Sequence, residues 1–242
     1  MELCIFQKGF NFSQDGPGNR LVYHLQGCNL RCPWCSNPEG LAMEGGWKVR
    51  AEDMIQEAVR SIPMFFDGGG VTLTGGEVTM QAEGVRELLK GLKAAGIHTC
   101  IETNGLSRNL PEILPLVDYL IIDCKHYLPD IHQKITGQSN ENLFKNIRTA
   151  LSMGKVPAVR IPVIGGFNDG EEAAEGFADL FCSLGLNCCG SVELLPYHEY
   201  GKDKYHTLGI PYTMTERAYV RPETIREMRA ILESRGIRTI QT

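Results

Sequence analysis

Three cysteines in one short stretch carry the plainest chemistry in this chain. Cys28, Cys32 and Cys35 lie in Gln26-Gly27-Cys28-Asn29-Leu30-Arg31-Cys32-Pro33-Trp34-Cys35, a C-x3-C-x2-C spacing. Soft thiolates select iron–sulfur clusters, zinc or copper(I). A structural zinc site wants four protein ligands, and the next cysteine and the nearest downstream histidine are as far away as Cys100 and His98. Three ligands on a four-iron cluster leave one iron open to bind a substrate. A three-cysteine zinc site completed by a distant histidine, or inert buried thiols, are the alternatives. The spacing is much rarer than a lone C-x2-C pair.

Other side chains fall where strands end. Thr74-Gly75-Gly76-Glu77 follows an apolar run directly. The glycines let a ligand approach the backbone and Glu77 offers an acceptor, although an ordinary strand-to-helix turn reads the same way. Asp123 and Lys125 occupy alternate positions at the end of a buried strand, and so share a face. They form either a clamp for a zwitterion or a strand-end salt bridge. Arg160, inside Ala158–Val163, either holds a ligand carboxylate or pairs within the fold. His198 closes Val192–Pro196, where a lone histidine is more often structural. Cys4, Cys100, Cys124, Cys182, Cys188 and Cys189 have no partner spacing and read as buried small hydrophobes.

The elements that must position these groups alternate between strand and helix. Strands are expected at Leu21–Leu25, Val71–Thr74, Ile97–Thr103, Tyr119–Asp123, Ala158–Val163 and Val192–Pro196, with an edge strand at Ile237–Ile240. Helices are expected at Ala51–Ile62, Gln81–Ala95, Asn109–Val117, Asn140–Met153, Glu171–Leu184 and Pro222–Arg235. In the first helix Met54, Ile55, Ala58, Val59 and Ile62 fall on one face. Repeated β-α units imply a parallel sheet with right-handed crossovers, closed fully or partly into a barrel. All the strand-end motifs then converge on one barrel face.

Composition agrees with a single α/β domain. The chain has 242 residues, 43% hydrophobic and 22% charged, with a formal net charge of −5. That charge argues against a dedicated nucleic-acid surface, and no apolar run reaches the roughly 18 residues of a membrane span. Met1-Glu2-Leu3-Cys4 does not read as a secretory signal. Nine cysteines, an odd count, fit a reducing compartment better than a disulfide framework. The expectation is a cytoplasmic, monomeric protein.

C-x3-C-x2-C with an aromatic residue before the last cysteine resembles the signature of the radical S-adenosylmethionine (SAM) superfamily. Asp15-Gly16-Pro17-Gly18, Thr74-Gly75-Gly76-Glu77, Glu102-Thr103-Asn104-Gly105, Asp123-Cys124-Lys125 and Leu194-Leu195-Pro196-Tyr197-His198-Glu199 run in order along the chain. They resemble the glycyl-radical-enzyme activating enzymes. The resemblance implies a partial (β/α)6 TIM-like barrel over residues 1–242, without the ferredoxin-like insert of some relatives, since no cysteine lies between Cys35 and Cys100. It implies a [4Fe–4S] cluster on Cys28, Cys32 and Cys35, and SAM contacts from Trp34, Gly75, Gly76, Glu77, Glu102, Asp123, Lys125, Arg160 and His198. It implies reductive cleavage of SAM and hydrogen abstraction from a backbone glycine of a glycyl radical enzyme, with Asp15 beside that substrate and flavodoxin or ferredoxin as electron donor. A monovalent cation on Glu102, Thr103 and Asp123 is also implied, although the family pattern has aspartate where this chain has Glu102. A radical SAM enzyme acting on a small molecule and a non-catalytic iron–sulfur protein are the alternative readings.

Overall fold

The computed structural model describes residues 1–12 and 14–241, which fold around one nine-stranded sheet. In chain order the elements are β1 (Glu2–Asn11), β2 (Arg20–Leu25), β3 (Trp47–Arg50), α1 (Ala51–Arg60), α2 (Ile62–Phe65), β4 (Gly70–Gly75), α3 (Ala82–Ala94), β5 (Thr99–Thr103), α4 (Leu110–Ile113), β6 (Tyr119–Asp123), α5 (Pro129–Thr136), α6 (Glu141–Ser152), β7 (Ala158–Val163), α7 (Glu171–Leu184), β8 (Ser191–Pro196), α8 (Lys202–Thr207), α9 (Pro222–Ser234) and β9 (Arg238–Ile240). The sheet order is β3-β1-β2-β4-β5-β6-β7-β8-β9. Neighbours from β2 to β9 run parallel, whereas β1 is antiparallel to both β2 and β3. β3 and β9 lie at opposite edges, so the barrel is partial and open on one side. Among the described residues no helix is long and apolar enough to cross a membrane.

Alternation divides each parallel strand between two environments. Leu21, Tyr23 and Leu25 of β2, Val71 and Leu73 of β4, Ile101 of β5, Leu120 and Ile122 of β6, and Val159, Ile161 and Val163 of β7 join the core under the helices. The intervening residues turn into the barrel, and several are polar or charged: Arg20, Thr72, Thr74, Glu102, Asp123 and Arg160. Outside, α1 packs on α3 and α7 on α9.

Three expected elements differ in extent. The first helix stops at Arg60 and a separate turn follows, leaving Val59 and Ile62 exposed. β5 starts at Thr99 because Ile97 belongs to the end of α3. Gly96 takes φ +71 there, and the Ile97 amide donates to the Leu92 carbonyl. The helix expected over Asn109–Val117 is one turn, α4, followed by a 3-10 turn at Leu114–Leu116. β1 escaped the pattern because only Leu3 and Ile5 bury fully, while Gln7 to Phe10 are exposed. The cysteine assignments also need correction: Cys100 and Cys124 are buried, but Cys4 and Cys182 are only partly so, and Cys188 and Cys189 are exposed.

The short helix α5 docks on the cysteine loop through the Thr136 carbonyl, which accepts from the Arg31 amide at 2.8 Å. Its His132 is 1% exposed, and its Nδ1 lies 2.6 Å from the Gln138 carbonyl, to which it must donate. Burial lowers the pKa of His132 from 6.5 to about 4. The neutral form is therefore the one that fits the fold. Stability from this group is complete above pH 6.5 and is lost as pH falls toward 4, because the unfolded chain binds the proton first. Urea unfolding should show a loss of up to about 3 kcal/mol across that window. A His132→Gln variant should show a flatter pH dependence. An unchanged slope in the variant would assign the acid sensitivity to other groups.

Candidate active site

The cysteine loop leaves β2 and is fixed by backbone contacts before any metal is considered. The Gly27 amide donates to Gly40, and the Glu77 amide donates to the Gly27 carbonyl. Gln26 turns its Nε2 to the carbonyls of Glu39 and Ala42 at 2.9 and 2.7 Å. The paired glycines after β4 serve this packing. A Cβ on Gly76 would sit 2.3 Å from the Gly27 oxygen, and Gly75 needs φ +118. Glycine is required here for loop-on-loop contact.

The loop opens onto a cavity of about 220 Å³ lined by Cys28, Cys32, Cys35, Trp34, Gly75, Gly76, Glu102, Thr103, Asp123, Lys125 and His198. Residues far apart in sequence thus converge, as strand-end positions in a β/α barrel do. A larger cavity of about 730 Å³ lies beside it, lined by Asp15, Gln14, His24, Arg160 and Tyr200. The two share walls at Asn37, Glu102, Tyr197 and His198.

Each charged group in this region has a partner. Lys125 Nζ is 2.7 Å from Asp123 Oδ2, so these two first meet each other. Burial works against the Lys125 ammonium, but Asp123 and the nearby thiols outweigh it and raise its pKa, keeping it charged. Arg160 spans the barrel, with Nη1 2.7 Å from Glu102 and Nε 2.9 Å from Glu193, and it also donates to the Gln14 carbonyl. The pairing alternative therefore holds for Arg160 in this structure. Glu102 takes a further bond from Thr74 at 2.9 Å. Glu77 is 1% exposed and turns to the protein, accepting from Thr79, from the Thr103 hydroxyl at 2.7 Å and from the Asn104 amide at 2.8 Å. It braces the loops after β4 and β5. His198 stacks on Tyr200 with centroids 3.8 Å apart. Burial lowers its pKa, so the ring is neutral near pH 7. Asp15 accepts from Asn11 at the rim of the larger cavity. Trp34 packs on Phe167 at 5.0 Å.

A profile of the Radical SAM superfamily matches residues 22–178. The chain belongs to that superfamily. It is 34% identical over 227 residues to the pyruvate formate-lyase 1-activating enzyme of Escherichia coli K12, covering 92% of each chain. It is 36% identical over 205 residues to the pyruvate formate-lyase-activating enzyme of Clostridium pasteurianum, covering 84% of this chain and 85% of that one. A crystal structure of a domain of such an enzyme from Bacteroides vulgatus superposes with a TM-score of 0.57 at 27% identity, over 72% of this chain and 98% of that one.

Radical SAM proteins use a [4Fe–4S] cluster and SAM, and the residues present fit both. Burial pushes the Cys32 thiol up to about 12 and the Cys35 thiol up to about 11, and raises Cys28 as well. Thiolates in so dry a loop need a positive centre, which a metal cluster provides. Backbone amides already point at two of the sulfurs, Leu30 to Cys28 and Asn37 to Cys35, both at 3.4 Å. Donors of this kind tune cluster potential. In the barrel, four carboxylates (Asp15, Glu102, Asp123, Glu193) surround two cations (Arg160, Lys125). That surplus of negative charge suits the sulfonium of SAM.

Two residues of this region had no role assigned from the sequence. Glu193 sits in the middle of the apolar run Val192–Pro196, the same signal that marked Arg160. Asn104 lines the smaller cavity and its Nδ2 donates to Asn29 at 2.7 Å, tying the β5 end to the cysteine loop.

Proposed function

We infer that this chain activates a glycyl radical enzyme, pyruvate formate-lyase or a relative, by removing hydrogen from a backbone glycine. The observation that carries the reading is the pair of adjoining cavities, one lined by three thiols and the other large enough for a peptide segment. When bound, the reduced cluster and SAM supply a hydrogen-abstracting carbon radical. The chain's own residues do the rest. Cys28, Cys32 and Cys35 would hold the cluster through their thiolates. Lys125 and Asp123 present a paired charge to the zwitterionic end of SAM, beside the backbone of Gly75 and Gly76. Glu77 acts behind them by holding Thr103 and Asn104. His198 and Trp34 line the wall for the adenosyl part, and the apolar Ile164 and Leu195 help exclude water. Glu102, on the wall the two cavities share, and Arg160, which lines the larger one, position SAM against the incoming glycine. Glu102, Thr103 and Asp123 form the place for a monovalent cation, which the surplus of carboxylates favours. Asp15 lies at the rim where the protein substrate enters. Flavodoxin or ferredoxin would deliver the electron near the cysteine loop, and the protein would act as a cytoplasmic monomer.

Anaerobic incubation with pyruvate formate-lyase, a low-potential reductant and SAM should give a stable organic radical by electron paramagnetic resonance. Replacing the target glycine of the partner by alanine should abolish the signal. A signal that survives the replacement, or rapid SAM cleavage driven only by a small molecule, would overturn the reading.

A further inference from the structure

Among the described residues that line the larger cavity, one carries a buried side-chain nitrogen that the protein leaves without a partner. His24 is on β2, in register with Thr74 of β4, and lines this cavity. Its ring leans on Phe6, with centroids 5.6 Å apart. Its Nδ1 is buried and has no hydrogen-bond partner among the described residues. Three charged groups of the same wall have partners. Arg160 meets Glu102 at 2.7 Å, Lys204 meets Glu39 at 3.2 Å, and Asp15 accepts from Asn11. A buried polar atom left without a partner is costly, and in a binding cavity the ligand is the natural source of one.

The chemistry of the substrate narrows what that partner is. A target glycine has no side chain to grip, so its Cα must be placed through the amides on either side. A neutral imidazole offers one donor and one acceptor, matching the C=O and N–H of a peptide unit. His24 is in that neutral form. Burial lowers its pKa, outweighing Asp15 and Glu39, which raise it. We propose that His24, after a half-turn of its ring about Cβ–Cγ, accepts a hydrogen bond from a backbone N–H flanking the target glycine and thereby positions the Cα for hydrogen removal. The proposal rests on the activase reading above and assigns a positioning residue within it.

The test uses the cluster- and SAM-loaded protein and a short synthetic peptide centred on the radical glycine of pyruvate formate-lyase. By calorimetry, His24→Phe should bind the peptide about tenfold more weakly, the loss expected of one hydrogen bond. His24→Asn, which keeps a donor and an acceptor, should recover most of that affinity. SAM affinity should be unchanged in both. Methylating the peptide nitrogen next to the glycine should weaken binding to the parent protein about tenfold and add little to the loss in His24→Phe, since both remove the same bond. Equal peptide affinity in parent and His24→Phe, or an equal methylation penalty in both, overturns the role of His24 alone. A parent protein that cleaves SAM but binds no such peptide overturns the activase reading together with it.

Discussion

Cys32→Ala should abolish SAM cleavage and leave the barrel folded. Cys32 is 7% exposed, and its thiol is the most strongly raised of the three in the loop, up to about 12. Under the ligand assignment proposed above, removing it takes away one of the three thiols that would hold the cluster. Iron and sulfide after anaerobic reconstitution should fall well below four of each. The fold should tolerate the change. The loop's own anchors are backbone bonds, Arg31 to Thr136 and Gly27 to Gly40, which do not involve the Cys32 sulfur. Loss of one small buried atom costs on the order of 1 kcal/mol, a shift of a few degrees in a protein of this size. Cys188→Ser is the matching control, because Cys188 is exposed. It should keep full iron, full cleavage and the parent melting temperature. Retention of four irons in Cys32→Ala would mean that another thiol completes the site.

The parallel strands β2 and β4 to β8 were legible because each is largely buried on both faces. A run such as Tyr119–Asp123, with three consecutive buried residues, has no competing reading. The cysteine triad was legible because its ligands are local in sequence. What the sequence could not show is which partner a charged side chain takes. Asp123 and Lys125 were correctly placed on one face, yet spacing cannot tell a ligand clamp from the 2.7 Å salt bridge that forms between them. Glu77 shows the limit most clearly. The Thr-Gly-Gly-Glu motif points it at a ligand, whereas the structure gives its carboxylate to Thr79, Thr103 and Asn104. Those partners come from the turn after β4 and from the end of β5, and only the parallel pairing of the two strands brings them together. The histidine at position 24 looks like one strand residue among apolar neighbours until the sheet turns it into the larger cavity.

Arg160→Met should cost about 3–5 kcal/mol at neutral pH, the usual loss when one partner of a buried ion pair is removed. The guanidinium holds three separate parts of the molecule: Glu102 on β5, Glu193 on β8 and the Gln14 carbonyl in the segment leading to Asp15. Its side chain is 8% exposed, and that of Glu193 is 4% exposed. Methionine fills much of the volume but leaves both carboxylates without the guanidinium, near Asp123 and Asp15, in a barrel already rich in negative charge. Burial already raises the pKa of Glu102 with the guanidinium in place, and losing Arg160, which opposes that rise, should raise it further. A carboxyl with a raised folded pKa loses stability as pH climbs through that value. The deficit of the variant should therefore be largest near pH 7 and should shrink as pH is lowered toward 5. Adding Glu193→Gln to Arg160→Met should recover part of the loss, because it removes one of the two stranded charges, and the two changes should be strongly non-additive. Urea unfolding of the parent, both single variants and the double variant at the two pH values tests each step. A pH-independent deficit would assign the cost to packing rather than charge. At a pH where the variant is folded, losing the Gln14 contact should still impair activation of the protein substrate, because the segment that carries Asp15 loses one of its anchors at the larger cavity, although Asn11 and Thr72 still hold Asp15 itself.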